Sequence, residues 1–336
     1  MAGKLAPGRY DFIWAAFQPF GRNMWSDVPV KRWGSIPGDD PERLLEVCAA
    51  DHLRFDEAVW RRVVDRMAAR GVNTIVMDVG EALAYPSHPE LHVKGSWAPE
   101  RVLAEVRRLK AMGFEVVPKL NFSACHDTWL KEYHRMLSTP DYYKVCADVI
   151  KDAYEAFDRP GLFHIGFDEE TARHQEQYGM AIIRQGDLWW HDFLYIEGIV
   201  EKLGARPWIW SDRCWAHRDE FLNRMPKSVL QSNWYYGRRF LESPHPRSRI
   251  YAQTYIDLAK AGFDQVPCGS TCGAEDNFTL TVGFVREHVP MERIMGFMMA
   301  AWCGAMLPQN EAKHLMAMDI VGGVRDDYMK KAGAAS

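Results

Sequence analysis

Eight times along this chain a short apolar run ends in a carboxylate, amide or indole and gives way to a stretch with helical spacing. The runs are Tyr10 to Phe17, Asn73 to Val79, Phe114 to Phe122, Leu162 to Phe167, Arg206 to Asp212, Ser228 to Tyr236, Gln265 to Thr271 and Ile294 to Trp302. Helical stretches separate them, and a last one at 310–321 closes the series. Short continuous apolar runs suit strands buried on both faces, and strands joined through helices lie parallel. The helix boundaries agree. Asp56 and Glu57 precede apolar positions at Val59, Val63 and Met67, with Gly71 beyond, while Pro99 opens and Gly113 ends the next helix. The pattern predicts a (β/α)8 TIM barrel, one domain over residues 1–336, with a long loop at about 18–54. A doubly wound open sheet is the competing topology, but no Gly-x-Gly-x-x-Gly turn follows an early strand. Strand seven is the weakest of the eight, and residues 330–336 read as a frayed tail.

A net charge of −4 offers no electrostatic footprint for nucleic acid or an anionic membrane. No apolar run of about 18 residues is present, and Met1 to Gly8 lacks the apolar segment of a signal peptide. A cytoplasmic protein is expected, with export after removal of a signal peptide as the alternative. The seven cysteines are scattered. Cys268 and Cys272 have no second pair at zinc-site spacing, so reduced thiols and no metal or other cofactor are expected. Whether two copies pair as a homodimer is left open.

In a barrel every strand's carboxyl end faces one mouth, where the chemistry sits. Reading those ends collects Asp78 and Glu81; Asn121 and His126; Asp168, Glu169 and Glu170; Trp210 and Asp212; Asn233, Trp234 and Tyr235; Ser270 and Thr271; and Trp302. An isolated Asp-Glu-Glu is an ordinary solvated turn. Here the acids keep company with indoles, which is what a sugar-cleaving site needs. Pyranose faces stack on aromatic rings, and a glycosidic bond needs an acid on the leaving oxygen with an anion near the oxocarbenium-like centre. Burial among aromatics beside an ionised Asp168 predicts a raised pKa for Glu169. Glu170 reads as a solvated or capping carboxylate and His164 as a core histidine. Trp14, Trp60, Trp189 and Trp190 read as packing residues.

The stretch His164-Ile-Gly-Phe-Asp-Glu169 resembles the His-x-Gly-Gly-Asp-Glu motif of glycoside hydrolase family 20, the β-N-acetylhexosaminidases. Val117 to His126 is similar to the family's Pro-Glu-x-Asp-x-Pro-Gly-His stretch, Pro207 to Asp212 to its Trp-x-Asp/Glu segment, and Trp302 to its strand-eight Trp. The resemblance runs in order from strand three to strand eight. It implies a carbohydrate substrate, an exo-acting hydrolase of hexosaminide-like sugars, and retaining cleavage assisted by the substrate's own 2-acetamido oxygen. It makes Glu169 the general acid and Asp168 the residue that orients and charge-stabilises the acetamido group. Trp210, Trp234 and Trp302 would wall the sugar, and Asp212, Tyr235, His126, Asn121, Asp78 and Arg22 would complete the binding set. Several positions depart from the pattern. Phe167 replaces the second Gly, Asn121 an Asp, Lys119 a Glu, and Gly304 the Glu two residues after the strand-eight Trp. The family's strand-seven Tyr is missing, with Tyr235 or Tyr236 as substitutes. Two other readings of the barrel remain: a metal-dependent sugar isomerase or hydrolase with Asp78, Glu169, His126 and Asp212 as ligands, and a non-catalytic carbohydrate-binding barrel.

Overall fold

The computed structural model describes residues 12–33 and 40–333, so Tyr10 and Asp11 of the expected first strand lie outside it. The strands are β1 (Ile13–Pro19), β2 (Thr74–Asp78), β3 (Glu115–Lys119), β4 (Leu162–His164), β5 (Arg206–Trp210), β6 (Leu230–Ser232), β7 (Cys268–Gly269) and β8 (Gly296–Ala300). All pairings are parallel, in the order β6-β5-β4-β3-β2-β1-β8-β7. The ends of that order meet through two isolated bridges, Gln231 to Gln265 and Trp234 to Cys268. The N–H of Val266 donates to Gln231 O and that of Cys268 to Asn233 O, each at 2.9 Å, so the sheet closes into a (β/α)8 barrel.

Alternation along each strand sorts the side chains into two cores. Phe17, Val76, Val117, Trp208, Trp210, Leu230, Met298 and Ala300 fill the interior. Ile75, Val116, Phe163, Ile209, Phe297 and Met299 face the helices, among which Trp14, Trp60, Trp189 and Trp190 are packed as expected. The helices are α1 (Pro41–Leu45), α2 (Glu57–Ala69), α3 (Pro99–Ala111), α4 (Pro140–Ala156), α5 (Gly186–Lys202), α6 (Arg213–Ala216), α7 (Arg218–Arg224), α8 (Pro246–Lys260), α9 (Asn277–His288) and α10 (Glu311–Gly333). Asp56 caps α2 by accepting from Val59 N at 2.9 Å, and Thr139 caps α4 ahead of Pro140. Each such cap stabilises by about 1 kcal/mol.

Several strands are shorter than the runs that announce them, and two differences have a clear cause. Strand seven shrinks to two residues, because Pro267 has no N–H to add to the ladder. The last helix runs to Gly333 instead of fraying at 330, and Tyr328 explains it: its ring packs on Phe12, Trp14 and Phe297 at the foot of the barrel. Among the described residues no helix is long and apolar enough to cross a membrane.

The segment after β1 folds back over the mouth. Buried Glu81 takes the N–H groups of Arg22 and Asn23 at 2.6 and 3.0 Å, and Arg54 donates to the carbonyls of Leu45 and Cys48, each at 2.8 Å. Residues 22 and 23 are thereby fixed to the end of β2, and residues 45 and 48 to the start of α2.

Candidate active site

The turn after β4 is wound tightly. Gly166, Phe167 and Glu169 all have positive φ, at 74°, 69° and 58°. At Gly166 a Cβ would stand 2.0 Å from Asn121 Oδ1, so only glycine fits there. Phe167 holds its left-handed backbone because its ring is gripped edge-on by Trp189 and Phe193. The winding turns Asp168 and Glu169 toward their partners. Asn121 donates Nδ2 to Asp168 Oδ1 at 2.7 Å, and its Oδ1 takes the N–H groups of Phe167 and Ser123. His126 Nε2 lies 3.3 Å from Asp168 Oδ2 and 3.3 Å from Glu169 Oε2. His174 Nε2 reaches Glu169 Oε1 at 3.3 Å. The backbone of Glu169 is held at both ends: its N–H donates to Asp212 Oδ2 at 2.8 Å, and its carbonyl accepts from the Cys125 thiol.

These contacts set the charges. Burial favours neutral carboxyls, but His126, Lys119 and Asn121 hold Asp168 well below the usual range. Burial opposes ionisation of Glu169 too, yet His126 and His174 bring it down to about 2. Burial disfavours a charged His126, and Asp168 and Glu169 outweigh it, raising that imidazole to about 10. The raised pKa expected for Glu169 is therefore not found, because His126 and a second histidine that the sequence did not suggest, His174, clasp it. Beside this pair Asp212 is pushed up to about 7 by burial and by the charges of Asp168 and Glu169, and burial raises Asp78 and Glu81 as well.

Indoles surround the acids. Trp302 is 6.5 Å from Trp210, and its Nε1 donates to the Tyr236 hydroxyl at 2.9 Å. Tyr236 stacks in turn on Trp234 at 5.0 Å. Trp25 stands 6.3 Å from Trp302 and meets the His126 ring edge-on at 6.4 Å. Trp210 Nε1, Asp212 Oδ1, His126 Nδ1, and Nε and Nη1 of Arg22 are all buried with no protein partner. Unpaired buried polar atoms are costly, and their concentration here suits a polar ligand or water.

Other expected residues have partners that the sequence did not suggest. Asp78 lies in the barrel interior against Lys119, both buried, with the ammonium over the Phe17 ring. Tyr235 points outward and packs on Phe240, since alternation sends Tyr236 inward in its place. Glu170 is not solvated: Arg184 grips both of its oxygens, and both side chains are buried. Arg22 stacks on Trp25 at 4.2 Å, and burial pulls its pKa down to about 10 while Glu46 opposes the change. At Gly304 a Cβ would meet Glu46 Oε2 at 2.6 Å, so the carboxylate from the β1 loop fills the space of a residue-304 side chain. Glu46 is anchored there by Ala305 N and Asn310 Nδ2 at 2.7 and 2.9 Å. Trp25, Glu46 and His174 escaped the sequence reading because all three lie on long loops whose folding-back has no local periodic signal. The aromatic content of 18–54 was the available clue.

No protein-family model matches the chain, and no curated protein matches it by sequence. Solved structures do. Dispersin B superposes with a TM-score of 0.59 at 13% identity, over 80% of this chain and 94% of its own. A mutant Streptomyces plicatus β-hexosaminidase in complex with the product GlcNAc gives 0.62 at 14% identity, over 93% of this chain and 64% of its own. A Vibrio harveyi family 20 exo-β-N-acetylglucosaminidase in complex with N-acetylglucosamine gives 0.55 at 15%, over 81% and 55%. The chain thus spans little more than half the length of some of these proteins. In fold, the chain is similar to the glycoside hydrolase family 20 hexosaminidases, the family that its strand-end motifs resemble.

Proposed function

We propose that this barrel is the catalytic domain of a glycoside hydrolase, divergent within family 20, that removes a terminal 2-acetamido sugar with retention. The observation that carries the reading is the adjacent Asp168 and Glu169 at the carboxyl end of β4, bridged by one histidine and ringed by indoles. Glu169 is the general acid. At rest its proton is lodged on His126, and the ion pair has the same net charge as a neutral acid beside a neutral imidazole. The His126–Glu169 unit thus carries one transferable proton, which Glu169 hands to the leaving oxygen. Asp168, kept anionic, holds the acetamido N–H while the acetamido oxygen attacks C1 and positive charge grows on the closing ring. The Tyr236 hydroxyl accepts from Trp302, and its proton, with the Cys268 sulfur at 4.0 Å as its other partner, turns to the acetamido oxygen when the sugar binds. Arg22, with unpaired buried nitrogens, and Glu46 beside it read the hydroxyls remote from the cleaved bond.

The test is a panel of aryl glycosides differing in anomer and in the 2-substituent. Cleavage of 2-acetamido β-glycosides and not of 2-hydroxy ones supports the reading. A better 2-hydroxy substrate, or a 2-fluoro sugar trapped on Asp212, points to a two-carboxylate mechanism. One observation favours a second reading: ligand atoms of His126, Asp168 and Glu169 lie within 4.8 Å of one another, a spacing compatible with a divalent cation. Asp78, expected in that set, is engaged by Lys119. Stoichiometric metal in the purified protein, with activity lost to chelator, would favour it.

A further inference from the structure

The aromatic wall does not stop at Trp302. Trp25 leads on to Trp33 with centroids 6.2 Å apart, and Trp33 lies parallel to Tyr178, at 6.1 Å and 8°. Trp25 and Trp33 come from the loop after β1, and Tyr178 from the loop after β4. All three rings are half-buried, and Arg22 covers one face of Trp25 at 4.2 Å.

Packing alone does not account for this arrangement, because hydrogen bonds already join the two loops. Asp27 takes the N–H of Gly179 at 2.9 Å and pairs with Arg135. Gln177 Nε2 donates to Arg32 O at 2.6 Å, and the Tyr178 hydroxyl donates to Cys125 O. The rings are therefore held in place rather than serving as the glue. Their position is defined relative to the acid. Trp25 meets His126, which bridges to Glu169, and Tyr178 lies four residues after His174, which binds the other oxygen of Glu169. The row flanks the proton donor, the side from which a leaving oxygen must depart.

We propose that Trp25, Trp33 and Tyr178 form a second saccharide subsite, which stacks the sugar unit on the leaving-group side of the bond. The proposal rests on the glycosidase reading and adds to it a preference for oligosaccharides over glycosides with small leaving groups. Pyranose rings with equatorial substituents present flat C–H faces that suit such a platform.

The experiment compares Trp33→Ala and Trp33→Phe with the unchanged protein, after circular dichroism has shown that each folds. The readout is the ratio of kcat/KM for chitotriose to that for a small aryl 2-acetamido β-glycoside. Trp33→Ala should lower this ratio about tenfold, and Trp33→Phe should restore most of it. An unchanged ratio with hydrolysis intact overturns the subsite and leaves the acid-pair reading standing. If no glycoside is cleaved, the acid-pair reading fails instead, and chitotetraose is titrated into Glu169→Gln with tryptophan fluorescence as the signal. Binding that weakens about tenfold on adding Trp33→Ala supports the subsite. Equal binding with and without that change, or no binding, overturns it.

Discussion

Replacing His126 by Gln removes the positive charge between Asp168 and Glu169 while keeping a side chain able to hydrogen-bond. The imidazole is raised from an ordinary 6.5 to about 10, which corresponds to roughly 5 kcal/mol shared between its two carboxylate contacts. In the unchanged site the proton available to the leaving oxygen is lost only as the pH approaches that value. Without His126 the proton must sit on Glu169 alone. Its carboxyl, now held near 2, then moves back up toward its usual 4.5, because burial beside Asp168 is opposed by His174 alone. The basic limb of kcat/KM should therefore fall by about five pH units, from about 10 to about 5. At pH 7, turnover of glycosides with poor leaving groups should fall on the order of a hundredfold, and that of nitrophenyl glycosides much less. The measurement is a pair of pH–rate profiles from pH 4 to 10. A basic limb that stays put, or equal losses for both leaving groups, would refute the shared proton. Stability offers an independent check. A group whose pKa is raised on folding stabilises fully below its unfolded value, so this contribution should hold below pH 6.5 and drain away toward pH 10. His126→Gln should flatten that slope in thermal melts.

Asp168→Asn should cost on the order of a hundredfold or more in the chemical step with a smaller change in affinity, measured by single-turnover kinetics. Gly166→Ala meets both a positive φ and the Asn121 amide, so denaturant titration should show a loss of about 3 kcal/mol or more, together with activity. Arg184→Met strands Glu170 and Asp192 without their cation in the interior, which costs about 3–5 kcal/mol. For a chain of this length that lowers Tm by about 4–7 °C. Glu170→Gln in the same background should recover part of it.

The barrel was legible because its signals are local and repeated. Asp56 before Val59, Pro99 before Val102, and eight apolar runs with polar ends each state one element, and alternation then decides which side chains enter the barrel. Asp168, Asn121 and His126 were legible as a group once the strand ends were gathered at one mouth. The charge assignments were not, because Glu169 is lowered by His126 together with His174, the latter five residues away across an irregular turn, and Asp212 is raised by burial and by the other two acids. Tyr235 and Tyr236 differ only in phase, and the phase of a three-residue strand cannot be counted reliably from sequence. Glu170 shows the same limit from the other side. Its partner, Arg184, sits fourteen positions on, at the far end of a loop without periodicity.

The closure of the barrel has a kinetic side. Between β6 and β7 the sheet is joined by two isolated bridges, whereas β1 and β2 pair over five residues. The strand-six side of that seam also carries Trp234 and Tyr236, and Tyr236 is latched across the mouth to Trp302 at the end of β8. A door hinged on so few bonds opens before the frame does, so amide protons of Val266 and Cys268 should exchange ahead of those in β1 to β3. A sugar clasped between Trp234 and Trp302 would act as a bolt across that door. Occupancy of the site and the unfolding rate of the whole barrel are then linked through a seam of two bridges.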